Sequence, residues 1–192
     1  IPSSLVGSEM CIRDRPYLAL TAIGIMLLGL TGIELADIVS LTFNAVSTTG
    51  FSLSFTPLDS LLNSEAFAVL SLLMFVGSLS YPLLIAAQSF KVDTFKEDRE
   101  IQDFVLTIIF LGLVLALFFP DNSLLVSITM AINMISTTAF VISDPVIITN
   151  YLPAAIFFLP VLIGGMTLST AGGLKVLRFY LLINRVTYEV VN

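Results

Sequence analysis

The chain has 192 residues, 57% of them hydrophobic and 11% charged, with a mean hydropathy of +1.02 and a formal net charge of -6. A soluble domain carries roughly 25% charged residues, so this chain lacks the side chains to cover a water-facing surface and reads as a polytopic membrane protein. Histidine is absent and Cys11 is the single cysteine, which excludes a Ser-His-Asp hydrolase, an intrachain disulfide and a Cys/His zinc site.

Residues Ile1 to Arg15 are polar and aperiodic, without the layout of a signal peptide. The string SLVGSEMCIRDR is similar to translated sequencing-adapter read-through, and residues 1–15 are set apart as a non-native lead-in. The first apolar run is Tyr17 to Ile33, close to the lower length limit for a span. A short apolar segment, about Ala36 to Val46, follows it and ends in Ser47-Thr48-Thr49-Gly50-Phe51. Glu65 to Phe90 is ample for a second span, and residues 91–103 form a charged linker. The pattern then recurs. Phe104 to Phe119 is a third run, about Leu124 to Ile135 a second short segment, and Ser136-Thr137-Thr138-Ala139-Phe140 a second polar string. The last run, Tyr151 to Ile183, is too long for one straight span and is interrupted by paired glycines. Apolar segments of eleven or twelve residues are re-entrant or buried, not spanning.

The bases support that layout. Arg13, Arg15, Lys91, Lys96, Arg99, Lys175, Arg178 and Arg185 are the full set. If each short segment dips in and returns, all of them fall on one face, which the positive-inside rule makes cytoplasmic. The outer loops then hold Glu34, Asp37, Asp59, Glu65, Asp121 and Asp144 and no base. Topology alone explains the missing bases; the acids would also concentrate cations at the outer rim.

The two short segments end alike. Residues Asn44 to Phe51 match Asn133 to Phe140 at an offset of 89, with the Asn, the Ser, both Thr and the Phe identical. The unit is helix, short pore helix, polar loop, helix, and it occurs twice, over 16–90 and 104–192. The fold class is therefore an all-α membrane protein of two tandem repeats that need partners to close a structure. Non-helical backbone at membrane depth survives where it lines a water-filled cavity or is buried in protein. A pore helix entering from outside turns its partly negative C-terminal end toward the membrane centre. Beyond it, a Ser-Thr-Thr-Gly stretch offers carbonyl and hydroxyl oxygens in place of an ion's water shell. Glycine suits such a loop because positive φ strains any other residue. Phe51 and Phe140 are expected to pack outward and brace the two loops.

In the last run, Ile163 to Leu174 holds Gly164, Gly165, Gly172 and Gly173 with Thr167, Ser169 and Thr170. Each helical glycine costs about 1 kcal/mol relative to alanine, so this stretch is expected to unwind into a small flexible plug below the second loop. Close helix–helix contact through small residues, as in GxxxG pairs, is the plainer alternative.

The two polar strings and the run GGMTLSTAGGLKVLRFYLL from Gly164 resemble the Trk/Ktr/HKT superfamily of potassium transporters, and within it the TrkH-type membrane subunits. The resemblance implies four such repeats around one pore, of which this chain would be the second and third. It implies potassium uptake through a filter of Ser47, Thr48, Thr49, Gly50, Ser136, Thr137, Thr138 and Ala139, with K⁺ held at Thr48, Thr49, Thr137 and Thr138. Gly164 to Gly173 would gate the path. It further implies K⁺ as the transported ion with no organic cofactor, a multi-pass location in a prokaryotic inner membrane, and a homodimer on a nucleotide-binding regulatory ring of the TrkA kind. Lys175, Arg178 and Arg185 are candidate contacts for that ring, though positive-inside anchoring explains them equally. Ala139 departs from the family glycine, which puts selectivity over sodium in question, and Ala139→Gly is expected to sharpen it.

Other classes fare worse. A secondary transporter coupled to Na⁺ or H⁺ would typically bring inverted repeats, whereas these two run the same way. An intramembrane enzyme would need a buried acid, base or metal set; the nearest charged group to a span's centre is Lys175. Nothing in the sequence points to nucleic acid.

Overall fold

The computed structural model describes the backbone of residues 3–51, 63–88, 98–118, 123–140 and 154–191; for 3–13, 88, 154–158, 190 and 191 it describes backbone alone. Asp59, Lys91, Lys96, Asp121 and Asp144 lie outside the described residues. The described residues form eight helices in chain order: α1 Ser3–Gly29, α2 Leu35–Ser47, α3 Ser64–Gly77, α4 Tyr81–Gln88, α5 Arg99–Phe118, α6 Leu124–Ile135, α7 Ala154–Ile163 and α8 Val176–Val191. No strand occurs among them.

Helix starts follow local chemistry. Ser123 caps α6 by accepting from the Val126 N–H at 3.4 Å. Glu34 holds the N-cap of α2 and Asp37 its first turn, and Glu65 lies in the first turn of α3. These three acids of the expected outer rim therefore sit at helix N-termini, where a carboxylate stabilises by about 0.3–1 kcal/mol.

Three boundaries differ from the sequence reading. α1 starts at Ser3, well before Tyr17, and carries Pro16 inside it. α5 starts at Arg99, so the end of the expected linker is helical. The run Glu65 to Phe90 is not one straight helix: within it α3 and α4 meet at a bend of 114°. The cause is local. The Ser78 hydroxyl donates to the Phe75 carbonyl at 2.6 Å, and Pro82 restricts Tyr81 and brings no N–H of its own. The Ser80 carbonyl then starts the new helix by accepting from Leu83 and Leu84.

α3 is the central element. It packs on α2 on one side and on α6 on the other, while α1 covers α2 and α3, and α5 covers α6. Leu28, Leu41, Ala45, Leu70, Leu73 and Met74 of α1, α2 and α3 are buried, as are Phe104, Ile108 and Leu115 of α5 and Met130 and Ile135 of α6. Buried Ser71 and Thr129 share a hydrogen bond of 2.8 Å between α3 and α6, and Phe75 stacks on Phe104 at 5.9 Å. α5 is the one described helix long and apolar enough to cross a membrane, joined by α3 and α4 if that bent pair counts as one span. Its outer stripe of Leu106, Ile109, Phe110, Leu113 and Leu117 is exposed, an apolar surface of the kind that meets lipid or protein.

Candidate functional site

The site is built where α2 and α6 end. α2 terminates because Thr48 turns left-handed, at φ 53°, while the Thr49 N–H reaches back to the Asn44 carbonyl at 3.1 Å. α6 ends with the same bond one repeat later, Thr138 N–H to the Asn133 carbonyl at 3.2 Å. Positive φ then alternates along both loops: Thr48 and Gly50 at 53° and 71°, Thr137 and Ala139 at 58° and 57°. The pairs share the 89-residue offset, so each left-handed residue has a left-handed counterpart. Ala139 adopts the glycine-like conformation despite its methyl group. Left-handed residues separated by one turn successive carbonyls toward a common side, as a row of ion ligands requires.

The two loops touch. A side chain at Gly50 would overlap the carbonyl oxygen of Thr138, so glycine is needed for approach as well as for its dihedral. Thr48 and Thr138 are buried, Thr137 is half-buried, and Thr49 and Ala139 are exposed. The Thr49 hydroxyl donates to Asn44 Oδ1 at 2.7 Å and the Ser47 hydroxyl to the Phe43 carbonyl at 2.6 Å. In the second loop Thr138 Oγ1 lies 2.6 Å from Ser136 Oγ. Phe140 is buried, but Phe51 is 76% exposed. Among the described residues the expected packing of the two phenylalanines therefore holds for Phe140, while Phe51 stays largely uncovered.

The glycine-rich stretch leaves the helix, as its composition implies. α7 ends at Ile163 and α8 begins at Val176; between them Gly164, Leu168, Gly173 and Lys175 have positive φ. The segment folds back so that its ends rejoin: the Leu174 N–H donates to the Leu162 carbonyl at 2.8 Å and Val176 N–H to Gly165 at 3.2 Å. Gly164 and Gly173 close the neck, each lacking room for a Cβ against the other's backbone.

This loop is pinned to its surroundings. Thr170 Oγ1 lies within donating reach of the Val46 carbonyl at 3.1 Å and the Gly77 carbonyl at 2.9 Å, the C-terminal ends of α2 and α3. Gly172 N–H donates to Thr137 Oγ1 at 2.7 Å. Met166 N–H donates to the Ser78 carbonyl and Tyr81 N–H to the Leu168 carbonyl, each at 3.2 Å, which ties the loop into the bend between α3 and α4. Glu100 Oε1 accepts from Thr167 N–H at 2.6 Å. Ser169 donates to Met166 at 2.7 Å. The loop is tethered on several sides.

The cations after the loop part ways. Lys175 Nζ turns back onto the Ala171 carbonyl, with Ser169 at 3.4 Å, so it braces the loop. Arg178 is exposed and lines an open cavity of about 600 Å³ with Val161, Leu162, Gly173 and Leu174. Arg185 is exposed and paired with Glu189 at 3.0 Å. Glu100 and the Ser78–Ser80 bend were not among the sequence-derived candidates. A trace of the bend was present in Gly77-Ser78-Leu79-Ser80-Tyr81-Pro82; Glu100 reads in sequence as an ordinary first-turn acid.

No family model matches the chain, and no curated protein matches it in sequence. Among solved structures the chain is similar to the potassium transporter TrkH from Vibrio parahaemolyticus, at a TM-score of 0.84 and 20% identity, over 99% of this chain and 42% of that one. The fold is that of TrkH. The chain therefore spans less than half of the TrkH chain it matches, and it reproduces that helical architecture across the two polar loops, the bent α3–α4 pair and the glycine-rich excursion.

Proposed function

We propose that this chain forms part of the pore of a potassium uptake system in a cell membrane, with residues 47–50 and 136–139 as segments of one selectivity filter. The observation that carries this reading is the paired alternation of positive φ at Thr48, Gly50, Thr137 and Ala139 in two loops that touch. Such backbones present carbonyl oxygens in rows, and a row of carbonyls replaces the hydration shell of a monovalent cation. Each loop begins at the C-terminal end of a short helix, whose partial negative charge favours a cation there. The likeness to TrkH supports potassium as that ion.

The loop from Gly164 to Gly173 lies against the second filter segment through Gly172 and Thr137 and serves as the gate. Two further helix–loop–helix units in the same polypeptide would complete the ring of ligands. A dimer and a cytosolic nucleotide-binding partner complete the proposed assembly, with exposed Arg178 and Arg185 better placed to meet that partner than Lys175. The mean hydropathy and the exposed apolar stripe of α5 support a multi-pass position in a prokaryotic inner membrane. Transport without chemistry, in the absence of enzymatic activity, accounts for every polar residue the site uses.

The test is rubidium uptake by the full-length protein in cells lacking their own potassium transporters. Uptake is expected with the parent, and Thr49→Val or Gly50→Ala should abolish it or let sodium compete. Variants that transport with the parent's ion preference would overturn the filter assignment.

A further inference from the structure

The two filter loops share a backbone but not a support. In the first, the strained position is Gly50, and Asn44 spends its side chain elsewhere: Nδ2 donates to the Ser40 carbonyl at 2.8 Å and Oδ1 accepts from the Thr49 hydroxyl at 2.7 Å. In the second, the equivalent position is Ala139, whose φ of 57° is unfavourable for any residue with a Cβ. There the equivalent Asn133 is buried and grips the next residue from both sides. Its Oδ1 accepts from the Phe140 N–H at 2.9 Å and its Nδ2 donates to the Phe140 carbonyl at 2.8 Å. The Phe140 ring is itself buried.

We infer that Asn133 is a positioning residue that holds Ala139 in the left-handed conformation, so that a filter segment lacking its glycine keeps the carbonyl row intact. The inference rests on the filter reading above, and it adds a specificity-determining group that touches no ion. Strained dihedrals persist where the surroundings over-determine them, and a two-point clamp on the following peptide does that. With the Phe140 peptide fixed by both hydrogen bonds and the Thr138 N–H tied to the Asn133 carbonyl at 3.2 Å, Ala139 is bracketed. Both brackets come from one residue. The amide pair also satisfies a buried backbone N–H and C=O that would otherwise stand unpaired. Asn44 has no such duty, because Gly50 adopts its φ without side-chain strain.

The experiment is a double-variant cycle in the full-length protein, reading the rubidium-to-sodium uptake ratio and the Tm of the purified protein. Asn133→Leu, close in volume, removes both bonds and is expected to lower the ratio by about tenfold, the order expected for leaving a buried polar group unpaired, and to lower Tm. Adding Ala139→Gly should restore most of the loss in the ratio and only part of the loss in Tm, because the buried Phe140 N–H and C=O stay unpaired, whereas Asn44→Leu should change the ratio less than threefold or so. A purely structural role for Asn133 would leave the loss unrepaired by Ala139→Gly, and that result overturns the inference, as does an unchanged ratio and Tm in Asn133→Leu. If Asn133→Leu does not accumulate, accumulation of the double variant supports the inference and its continued absence overturns it. A parent that takes up no rubidium would sink the transport reading; the Tm cycle then decides the clamp alone.

Discussion

Loop 47–51 and loop 136–140 come from nearly the same string and reach the same alternating backbone, yet one is fixed by a glycine and the other by its surroundings. Gly50 is pressed against the Thr138 carbonyl and leaves Phe51 exposed. Ala139 is held between bonds to Asn133, with Phe140 buried behind it. The hydroxyls differ as well. Thr48 donates to its neighbour, the Ser47 carbonyl, at 2.8 Å, whereas Thr137 accepts the Gly172 N–H from the plug. Identical letters thus carry different duties: the first loop supplies close approach, and the second holds the glycine-rich excursion. Two unequal copies of one string can divide such tasks, which identical copies could not.

The largest expected effect comes from breaking the first loop's support. Gly50→Ala places a methyl group in the Thr138 carbonyl and imposes a left-handed strain of about 1–2 kcal/mol in addition. Rubidium uptake should fall by two orders of magnitude or more, in the range of about 3 kcal/mol, and uptake near the parent's would break the contrast. Next, Thr137→Val and Thr48→Val should separate. The first unpairs Gly172 and should alter the rate of uptake by about tenfold; the second removes only a bond to the adjacent Ser47 carbonyl and should alter it by about twofold, the low end for a lost hydrogen bond. Equal effects on initial rates would erase the proposed division of labour. Thr170→Val removes the hydroxyl facing Val46 and Gly77 and should raise resting uptake severalfold, consistent with about 1 kcal/mol of lost anchoring. Tracer flux through the purified protein in vesicles would check it. Smallest is Ala139→Gly, which relieves strain and should raise Tm slightly while sharpening the K⁺/Na⁺ ratio by less than about threefold, because the clamp already holds the conformation. A large gain in that ratio would show the clamp to be incomplete.

The sequence disclosed those parts whose signal is carried by side-chain type. The short apolar segments before Ser47 and Ser136, the repeated polar strings and the glycine-rich interruption all stand out against a hydrophobic background. What it hid is carried by backbone. Val46, Gly77 and Ser78 act through their carbonyl oxygens, which every residue possesses and no letter advertises. The bend at Ser78–Ser80 was masked because hydropathy averaged over a span-length window stays high across two serines set among leucine, valine and phenylalanine. The difference between Phe51 and Phe140 was invisible because string identity between the repeats says nothing of where each asparagine aims: Asn133 bonds the Phe140 peptide, and Asn44 bonds Ser40 and Thr49. Glu34, Asp37 and Glu65 looked like an electrostatic rim, and each lies at the start of a helix, where local helix stabilisation explains part of their presence.

The neck formed by Gly164 and Gly173 has a mechanical corollary. Because Leu162 bonds directly to Leu174 and Gly165 to Val176, the rod on either side is stitched together behind the excursion, which hangs from it like a pendant. Any displacement of the excursion is therefore opposed by its own side contacts alone: the hydrogen bonds to Glu100, Thr137, the Val46 and Gly77 carbonyls and the α3–α4 corner.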